Sequence, residues 1–316
     1  MKKKNLLFII DPIGTLLPND TTFAIMAEAF ARGHAVWITT VSEICVRSGG
    51  AAHAAVTRIA AYSKPKMRWK ILGNKDAALE GFSLIFMRKN PPYDIGYVFA
   101  TLLLSLVNAK KTFIINDPAA LRNFNEKLGV LQFQRFIPDT IVTKRRGDII
   151  AFLKKHKKIV LKPLGGFGGQ EVVVLDGKDK NRNALLEMLT RRQSRYVTAQ
   201  KYIPEVKHGD KRVLVLNGEI LGQENRVAAS DDHRSNISAG GTSHKTSLTA
   251  KETKMCEAVG KVLASQGIYF AGLDLIGGYI TEINVTSPTG LVEMSEYEGK
   301  RLERKVVDFL ENKTDK

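Results

Sequence analysis

The chain has 316 residues, of which 44% are apolar, and this size and composition allow two or three domains with substantial hydrophobic cores. They exclude an intrinsically disordered chain. Lys and Arg number 48 against 32 Asp and Glu, and the formal net charge of +16 predicts attraction to anions, whether nucleic acids, acidic membranes or small molecules.

The positive charge is dispersed, and its densest runs lie at residues 2–4, 144–146 and 154–158. No RNP, zinc-finger or basic-zipper signature accompanies them, so we interpret the runs as solvated helix faces or loops and expect no nucleic-acid partner. The longest apolar segment, residues 98–107, is well short of the roughly 20 residues that span a bilayer, so we expect no membrane association.

Two cysteines are present, Cys45 and Cys256. Their number and their separation in sequence exclude a disulfide framework and a Cys-x-x-Cys metal site. A reducing compartment, the cytoplasm, is therefore the expected location.

The first region, residues 1–122, alternates predicted strands with predicted helices. Its apolar runs predict four strands, the first typical of a parallel strand buried on both faces, at 5–10, 35–39, 83–87 and 111–115. Helices are predicted from Asp20 or Thr21 to Gly33 and near 97–108. This alternation indicates an open parallel sheet, in which ligands collect at the carboxyl ends of the strands. Arg88 follows a strand at that edge and is a candidate fork for a carboxylate, although an ordinary loop arginine fits equally well.

A second region begins near Asn116, where Asp117 caps a helix and Pro118 lies in its first turn. The pattern then changes to a strand, an amphipathic helix and a second strand, at 137–143, 148–157 and 158–162. We place a lid subdomain at 123–201 and a C-terminal subdomain at 202–316.

The strand at 158–162 continues into Pro163–Gly169, called here the Gly-rich flap. It is neither a Walker A loop, since no Gly-Lys-Ser/Thr closes it, nor a Rossmann fingerprint, since the third glycine would fall at Glu171. A β-branched strand follows at 170–175, so the flap is the tip of a strand-loop-strand unit whose glycines let backbone amides approach phosphates. A flexible hairpin is the alternative. Lys162, a point charge suited to phosphate, favours a nucleotide.

The remaining elements are predicted in order as a helix, a strand, a hairpin joined by Asn217-Gly218 and two more helices, at 183–192, 195–200, 213–221, 249–266 and 299–310. The segment ending at Pro204 reads as a hinge whose backbone could pair with adenine. A polar, glycine-rich loop at 230–245 carries Arg234. His233 and His244 lack metal-ligand spacing and are interpreted as surface residues.

Residues 272–289, called here the acidic hairpin, read as two short strands joined at Gly277-Gly278. Residues two apart share a face of a strand, so Glu282 and Asn284 point the same way, and the turn folds Asp274 back toward them. Two carboxylates and an amide without His or Cys suit a hard cation such as Mg²⁺. A solvated hairpin with acidic residues on its wet face is the alternative.

Taken together, the order of these pieces resembles the bacterial glutathione synthetase family within the ATP-grasp superfamily. The resemblance covers nearly the whole chain, and the acidic hairpin with its Ser-Pro-Thr end is its most specific part. The motifs that carry it are Asp11–Ile13, Met87–Asp94, Asn125–Leu128, Leu161–Leu164, Gly209–Val215, Ala239–Gly241 and Gly272–Thr289.

The resemblance implies an α/β fold with an N-terminal open parallel-sheet domain, followed by an ATP-grasp fold of two α+β subdomains that clasp the nucleotide. It implies an ATP-dependent ligase that joins γ-glutamylcysteine to glycine, releasing ADP and phosphate, with Mg²⁺ (Mn²⁺ as the alternative metal). The partners implied are these small molecules. Members of the family are commonly dimers or tetramers, so the resemblance also implies a homo-oligomer.

The site residues implied by the motifs form four groups. The ATP-binding group is Lys127, Lys162, Gly165, Gly166, Phe167, Gly168, Gly169, Gln200, Lys201, Tyr202, Ile203 and Asp210. The metal group is Asp274, Glu282 and Asn284, and the groups facing the reacting phosphoryl and acyl atoms are Arg212 and Arg234. The dipeptide group is Arg88, Gly240, Gly241, Ser287, Pro288 and Thr289.

The chemistry is consistent with a sequence that has no Ser-His-Asp or Cys-His nucleophile pattern. A carboxylate must be activated as an acyl phosphate before an amine attacks it, and for this the protein supplies alignment and charge neutralisation. The alternative is an ATP-grasp ligase for another peptide or amino acid, because the family pattern is altered at Asn19–Thr22, Asn90 and Gly165. A nucleotide-binding regulator without turnover, or a basic nucleic-acid binder, would need no metal triad.

Overall fold

A computed structural model describes residues 3–17, 19–63, 66–228 and 240–315 of the chain. These residues form three β-sheets with helices packed against them. The strands are β1 Asn5–Ile9, β2 Ala35–Thr39, β3 Ile44–Val46, β4 Ala52–Tyr62, β5 Arg68–Ala78, β6 Leu84–Met87, β7 Phe113–Ile115, β8 Thr140–Thr143, β9 Lys158–Pro163, β10 Val173–Asp176, β11 Val197–Lys201, β12 Asp210–Leu216, β13 Glu219–Val227, β14 Thr242–His244, β15 Phe270–Ile276 and β16 Tyr279–Asn284. The α-helices are α1 Thr21–Ala31, α2 Ile95–Leu104, α3 Pro118–Asn123, α4 Arg146–His156, α5 Arg182–Leu189, α6 Ala250–Ser265, α7 Leu291–Glu298 and α8 Leu302–Thr314.

The first sheet has seven strands, and its centre is parallel as the alternation of strands and helices predicted. Strands β2, β1, β6 and β7 run side by side in one direction. The residues of β1 from Leu6 onward are at most 2% exposed, as expected for a strand covered on both faces. Asp20 caps α1 by accepting a hydrogen bond from Phe23 N at 2.9 Å.

Three antiparallel strands, β3, β4 and β5, extend this sheet beyond β2, and none of them was predicted. Strand β5 is an edge strand that pairs with β4 and is exposed along most of its length. Its charged residues, including Lys70 and Lys75, are typical of an edge that resists pairing with other chains. The first domain is therefore a mixed sheet with a parallel centre.

The second sheet lies in the region predicted as a lid subdomain and has the strand order β10-β9-β11-β8 with antiparallel pairs. Helices α4 and α5 cover one face, and their buried residues Ile149, Leu153 and Leu186 join a separate small core with Leu161 of β9. The Gly-rich flap connects β9 to β10. Because β10 begins at Val173, residues 170–172 belong to the connecting loop, and the predicted strand at 170–175 starts later than expected.

The third sheet has five strands in the order β14-β13-β12-β15-β16. Asn217 and Gly218 have positive φ angles of 51° and 90° and form the predicted turn between β12 and β13. Thr249 caps α6 with a complete capping box, in which its side chain and that of Glu252 exchange hydrogen bonds with the opposite backbone amides. Part of the predicted loop at 230–245 is strand β14, and α7 was not predicted.

The first and third sheets are joined by two hydrophobic clusters that draw residues from both. The buried amide of Asn116 adds hydrogen bonds across this junction, donating from Nδ2 to Phe270 O (2.8 Å) and Val285 O (3.0 Å). It also accepts from the amides of Tyr269 and Phe270. Within the described ranges, no helix has the length and apolar character needed to cross a membrane.

Helix α8 is fastened to the first domain by a buried polar cluster around Glu311. Glu311 Oε1 lies 2.7 Å from His34 Nε2, and Glu311 Oε2 accepts from Arg32 at 2.7 Å. Lys4 N donates to His34 Nδ1 at 3.3 Å, so Nε2 carries the ring proton and donates to the carboxylate. The Lys4 ammonium donates to Glu311 O at 2.9 Å.

Replacing Glu311 by Ala is expected to lower the free energy of unfolding by about 3 kcal/mol, because it leaves the buried Nε2 donor of His34 without its acceptor and removes a buried ion-pair partner of Arg32. Urea denaturation followed by circular dichroism measures this change. Asp308→Ala is the matched control, since Asp308 bonds the same arginine from a side chain that is 57% exposed. No measurable change is expected there. Equal decreases in the free energy of unfolding of the two variants would contradict a stabilising role for the buried polar cluster around Glu311.

Candidate active site

A cleft of about 1160 Å³ lies between the Gly-rich flap and the third sheet. Most of the site residues inferred from sequence line it, from all four proposed groups. They are Lys127, Lys162, Gly166, Phe167, Gly168, Gly169, Gln200, Lys201, Tyr202, Ile203, Asp210, Arg212, Asp274, Glu282, Asn284, Ser287, Pro288 and Thr289. Lys162 and Glu282 thus face the same cleft, although they come from different sheets.

The floor of the cleft is one face of the third sheet. Arg212 is paired with Asp274 across β12 and β15, and Asp274 is paired with Glu282 across β15 and β16. Directly paired residues point to the same side of a sheet, so these three side chains share a face. Ile283 and Val285 are 0% and 1% exposed, as the strand alternation predicted.

The buried carboxylate of Asp274 is held by two arginines. Arg212 donates to it from both Nε and NH2, and Arg226 NH2 lies 3.1 Å from Asp274 Oδ2. Arg226 NH2 also donates to Asp210 Oδ2 at 2.5 Å. Burial alone would raise the pKa of Asp274, but the two guanidinium groups outweigh it and hold that pKa well below its usual range. Asp274 is therefore ionised at neutral pH.

Two lysines enter the cleft from the lid side. Lys127 Nζ donates to Gly166 O at 2.6 Å and to Glu282 Oε1 at 3.1 Å. Burial would lower the pKa of Lys127, but the carboxylates of Glu282 and Glu126 outweigh it and raise that pKa. Lys162 Nζ donates to Gln200 Oε1 at 3.1 Å, and burial lowers the pKa of its ammonium. Glu282 is surrounded by positive charge, which lowers its pKa against the effect of burial.

The Gly-rich flap is a pair of turns over these lysines. Gly166 N donates to Pro163 O at 3.1 Å and Gln170 N to Phe167 O at 2.9 Å. Gly168 and Gly169 have φ angles of 58° and 76°, a region that favours glycine. Their presence keeps the flap backbone free of side chains on its approach to the cleft.

The end of β11 and the hinge after it form a partly apolar end of the cleft. Val160, Val174 and Ile276 line it beside the hinge residues. Gln200 is buried. The ring of Tyr202 makes a cation–π contact with Lys158, whose ammonium lies 4.1 Å from the ring centroid. An apolar slot beside backbone hydrogen-bonding groups suits a flat heterocycle.

The opposite end of the cleft is formed by residues 285–289, called here the substrate loop. Arg88 does not line the cleft. Its side chain is 2% exposed, lies between Phe86 and Phe270, and donates from NH2 to Pro288 O at 2.8 Å and from Nε to Thr22 Oγ1 at 3.0 Å. Burial lowers its pKa to about 10. In this structure Arg88 supports the substrate loop from behind.

Three further residues inferred from sequence also lie outside the cleft lining. Gly165 is an exposed residue of the flap, and Gly240 and Gly241 precede β14. Arg234 and His233 lie outside the described residues. His244 pairs in β14 opposite Asn225 and is exposed, as expected for a surface histidine.

The donor set of the acidic hairpin fits a hard divalent cation in chemistry. Asp274, Glu282 and Asn284 offer oxygen atoms on one face, and Asn284 Nδ2 donates to Asp274 Oδ2 at 3.1 Å, which brings the two side chains into contact. A cluster of three or more His, Cys, Asp or Glu side chains suited to a metal is absent from the described ranges. Any ion held here would draw its other ligands from phosphates and water, as Mg²⁺ commonly does.

Sequence reasoning missed several residues that line the cleft, above all Glu126, Glu224 and Arg226. Glu126 precedes a lysine already singled out, and its position beside that lysine was the one available signal. Arg226 and Glu224 lie opposite Asp210 and Arg212 in the β12–β13 register. That register was not predictable from the turn alone.

Comparison with protein families gives two matches. The model of the prokaryotic glutathione synthetase N-terminal domain matches residues 5–122, and the model of the prokaryotic glutathione synthetase ATP-grasp domain matches residues 126–299. A glutathione synthetase of Thermosynechococcus vestitus is 40% identical over 313 residues, covering 96% of this chain and 98% of the relative. One of Gloeobacter violaceus is 42% identical over 311 residues, covering 96% of each.

Solved structures support the same fold at low sequence identity. A D-cycloserine synthetase superposes with a TM-score of 0.67 at 14% identity, covering 97% of this chain and 99% of that chain. A RimK-domain ATP-grasp protein from Sphaerobacter thermophilus superposes with a TM-score of 0.61 at 17% identity, covering 96% and 98%. Both domains of one family are matched in sequence order, and the cleft brings together lysines and carboxylates from the ATP-grasp part. The chain therefore belongs to the prokaryotic glutathione synthetase family, ATP-grasp ligases that use ATP as co-substrate.

Proposed function

We propose that this chain joins γ-L-glutamyl-L-cysteine to glycine, forming glutathione, ADP and phosphate through an acyl-phosphate intermediate. The observation that carries the proposal is the meeting of Lys127, Lys162 and Glu282 in one cleft of a chain from this family. A carboxylate oxygen of the dipeptide attacks the γ-phosphorus of ATP, and ADP leaves. The glycine amine then attacks the acyl carbon, loses a proton, and displaces phosphate.

The nucleotide occupies the cleft beneath the Gly-rich flap. Lys127 and Lys162 neutralise the phosphates as point charges, and Gly165–Gly169 covers them with backbone amides. Gln200–Ile203 receives the adenine in the apolar slot. Asp210, buried beside Arg226, lies toward the ribose and substrate side.

Asp274, Glu282 and Asn284 would hold Mg²⁺, with Mn²⁺ as the alternative, because all three present oxygen donors of the kind these ions prefer. When bound, the ion neutralises the phosphate charge that develops during transfer. Arg212 keeps Asp274 ionised and fixes its position by two hydrogen bonds.

The dipeptide lies against Ser287–Thr289, with Arg88 behind the loop. Arg212 faces the reacting groups from the sheet. The family motif implies the same role for Arg234, which lies outside the described residues, and a dipeptide-binding role for Gly240-Gly241. A Cβ atom at Gly272 would lie 3.1 Å from both Arg212 Cδ and Pro288 Cβ, so glycine permits close packing of the substrate loop on this arginine. The Gly-rich flap excludes water while the acyl phosphate awaits glycine.

A phosphate-release assay with ATP, γ-glutamylcysteine and glycine, each omitted in turn, tests the proposal. Release that requires all three supports it. Release with another peptide or amino acid, and none with these substrates, supports a different ATP-grasp ligase. Absence of release with every acceptor would contradict a ligase of either kind.

We also propose that the chain forms a homo-oligomer through an apolar face of α2. Ile95, Phe99 and Leu102 of α2, with Leu106 in the turn that follows it, repeat at helical spacing and are 66%, 57%, 45% and 53% exposed. No charged residue lies within α2. Two copies of a chain with a net charge of +16 repel each other, so an uncharged apolar face is where they can meet at least electrostatic cost.

Phe99→Glu is expected to convert the oligomer to monomers, because a buried carboxylate at the centre of this face is strongly unfavourable. Sedimentation velocity measures the change. Ser105→Glu is the control, because Ser105 caps the carboxyl end of α2 and lies beside the apolar face. It is expected to weaken association less than Phe99→Glu. A wild-type chain that sediments as a monomer would contradict the proposal.

For the compartment, we propose the cytoplasm. Cys45 and Cys256 are both free thiols, and Cys45 is exposed, which suits a reducing environment.

A further inference from the structure

Residues 125–127 touch both walls of the cleft at once. Asn125 Nδ2 donates to Leu164 O of the flap at 3.2 Å, and Lys127 Nζ donates to Gly166 O and Glu282 Oε1. Between them, Glu126 turns toward the substrate loop. Three adjacent side chains therefore connect the flap, the acidic hairpin and the substrate loop.

The Glu126 carboxylate holds the start of the substrate loop through a single oxygen. Its Oε1 accepts from Val285 N at 2.9 Å, Thr286 N at 3.2 Å and Thr286 Oγ1 at 3.0 Å. Its backbone carbonyl accepts from Ile283 N at 3.3 Å, which extends the contact into β16. Two consecutive backbone amides directed at one carboxylate oxygen fix the direction in which the chain leaves the strand.

The contacts that Asn116 and Arg88 make with the substrate loop do not involve its backbone amides. Asn116 donates to Val285 O and Arg88 to Pro288 O, so both bind carbonyl groups. Among the described residues, Glu126 provides the acceptor for the amides of Val285 and Thr286. Lys127 is held separately, since its amide donates to Asn125 Oδ1 at 3.0 Å.

We propose that Glu126 is a positioning residue that sets the substrate loop relative to the phosphate site of Lys127. It acts through the loop, aligning the dipeptide carboxylate with the γ-phosphate. This inference rests on the proposed function for its kinetic consequence, but the holding of the loop by Glu126 is independent of any substrate.

Glu126→Ala is expected to lower kcat/KM for γ-glutamylcysteine by about 10- to 100-fold with little change in KM for ATP, because misplacement of a reacting group by about 1 Å costs a factor of this size in rate. Glu126→Gln keeps an oxygen at the same place and is expected to restore most of the loss. Steady-state kinetics with each substrate varied in turn measures the split.

Hydrogen exchange of the substrate-free chain provides the second measurement. Peptides that contain Val285 and Thr286 should exchange faster in Glu126→Ala and stay protected in Glu126→Gln. Glu252→Ala is the matched control, because that carboxylate also accepts a backbone amide, Thr249 N at 2.8 Å, and lies at the start of α6. It should expose residue 249 and leave the exchange of residues 285–286 unchanged.

Unchanged exchange at 285–286 in Glu126→Ala would overturn the proposal, as would a Gln variant as impaired as the Ala variant or a parallel rise of both KM values. A wild-type chain that does not turn over γ-glutamylcysteine, with the exchange results as expected, would refute the proposed function and leave the loop-holding role of Glu126 supported.

Discussion

Replacing Glu282 by Gln is expected to lower kcat for ligation by about 10²- to 10³-fold without unfolding the chain. Glu282 is one of two carboxylates in the proposed metal set, and its Oε1 lies 3.1 Å from Lys127 Nζ. The amide of Gln has nearly the same shape but no charge, so the substitution removes both the anionic ligand and the counter-charge of the lysine. Phosphate release measured over a range of Mg²⁺ concentrations should show lower activity and a weaker metal dependence.

Glu219→Gln is the matched control for this variant. Glu219 begins β13 at an exposed position of the hairpin turn, so the same chemical change there should leave kcat and its dependence on Mg²⁺ unaltered. Circular dichroism of both variants verifies the fold. Full activity of Glu282→Gln would remove Glu282 from the metal site and leave Asp274 and Asn284 without a basis for holding the ion.

The parts of the fold that were predictable from sequence are those in which a few neighbouring residues determine the backbone. Asp117 accepts from the amides of Ala119 and Ala120, as expected for a cap followed by Pro118. The Asn217-Gly218 turn and the start of α6 after Thr249 follow from equally local chemistry. The four parallel strands were found because continuous apolar runs mark strands that are buried on both faces.

The long β4–β5 hairpin could not be predicted from local sequence patterns. Strand β4 is rich in alanine, which has little preference for strands, and β5 is exposed and mixes charged with apolar residues without a regular alternation. Neither strand bears a strong local signal, and each is held by its partner: β4 pairs with β2 and β3 as well as with β5. Tertiary pairing therefore outweighs intrinsic preference here.

The active-site face depends on two β-bulges that the turns alone do not reveal. Counting outward from Gly277-Gly278 without a bulge would pair Asp274 with Thr281 and send Glu282 to the opposite face. The observed register shifts by one residue, Thr281 being the extra one, and Asp274 pairs with Glu282 instead. The sequence-based prediction that Asp274 folds toward Glu282 and Asn284 was confirmed, but it is the bulge that makes it possible.

The β12–β13 hairpin contains a second β-bulge, which explains why Arg226 was not predicted as a cleft residue. A bulge-free count from Asn217-Gly218 would pair Asp210 with Asn225. Leu221 is the extra residue, and the shifted register pairs Asp210 with Arg226. Arg226 therefore points into the cleft between two acidic side chains, a position that no spacing rule along the sequence indicates.

That position predicts a large effect on stability. Arg226→Met is expected to lower the free energy of unfolding by about 3–5 kcal/mol, the usual cost of removing one partner from a buried ion pair. Arg226 is 4% exposed, donates to Asp210 and lies 3.1 Å from Asp274, so its loss removes one of the two guanidinium groups that contact Asp274. Urea denaturation without nucleotide measures the change.

Two further variants separate charge from packing. In Arg226→Met/Asp210→Asn the negative charge of Asp210 is removed together with its arginine partner, so we expect recovery of about 1–2 kcal/mol relative to Arg226→Met. Arg145→Met removes an arginine that pairs with Asp148 at the surface and should leave the denaturation midpoint unchanged. If Arg226→Met were as stable as Arg145→Met, the negative charge of the cleft would have to be balanced by other cations, which among the described residues include Arg212, Lys127 and Lys162.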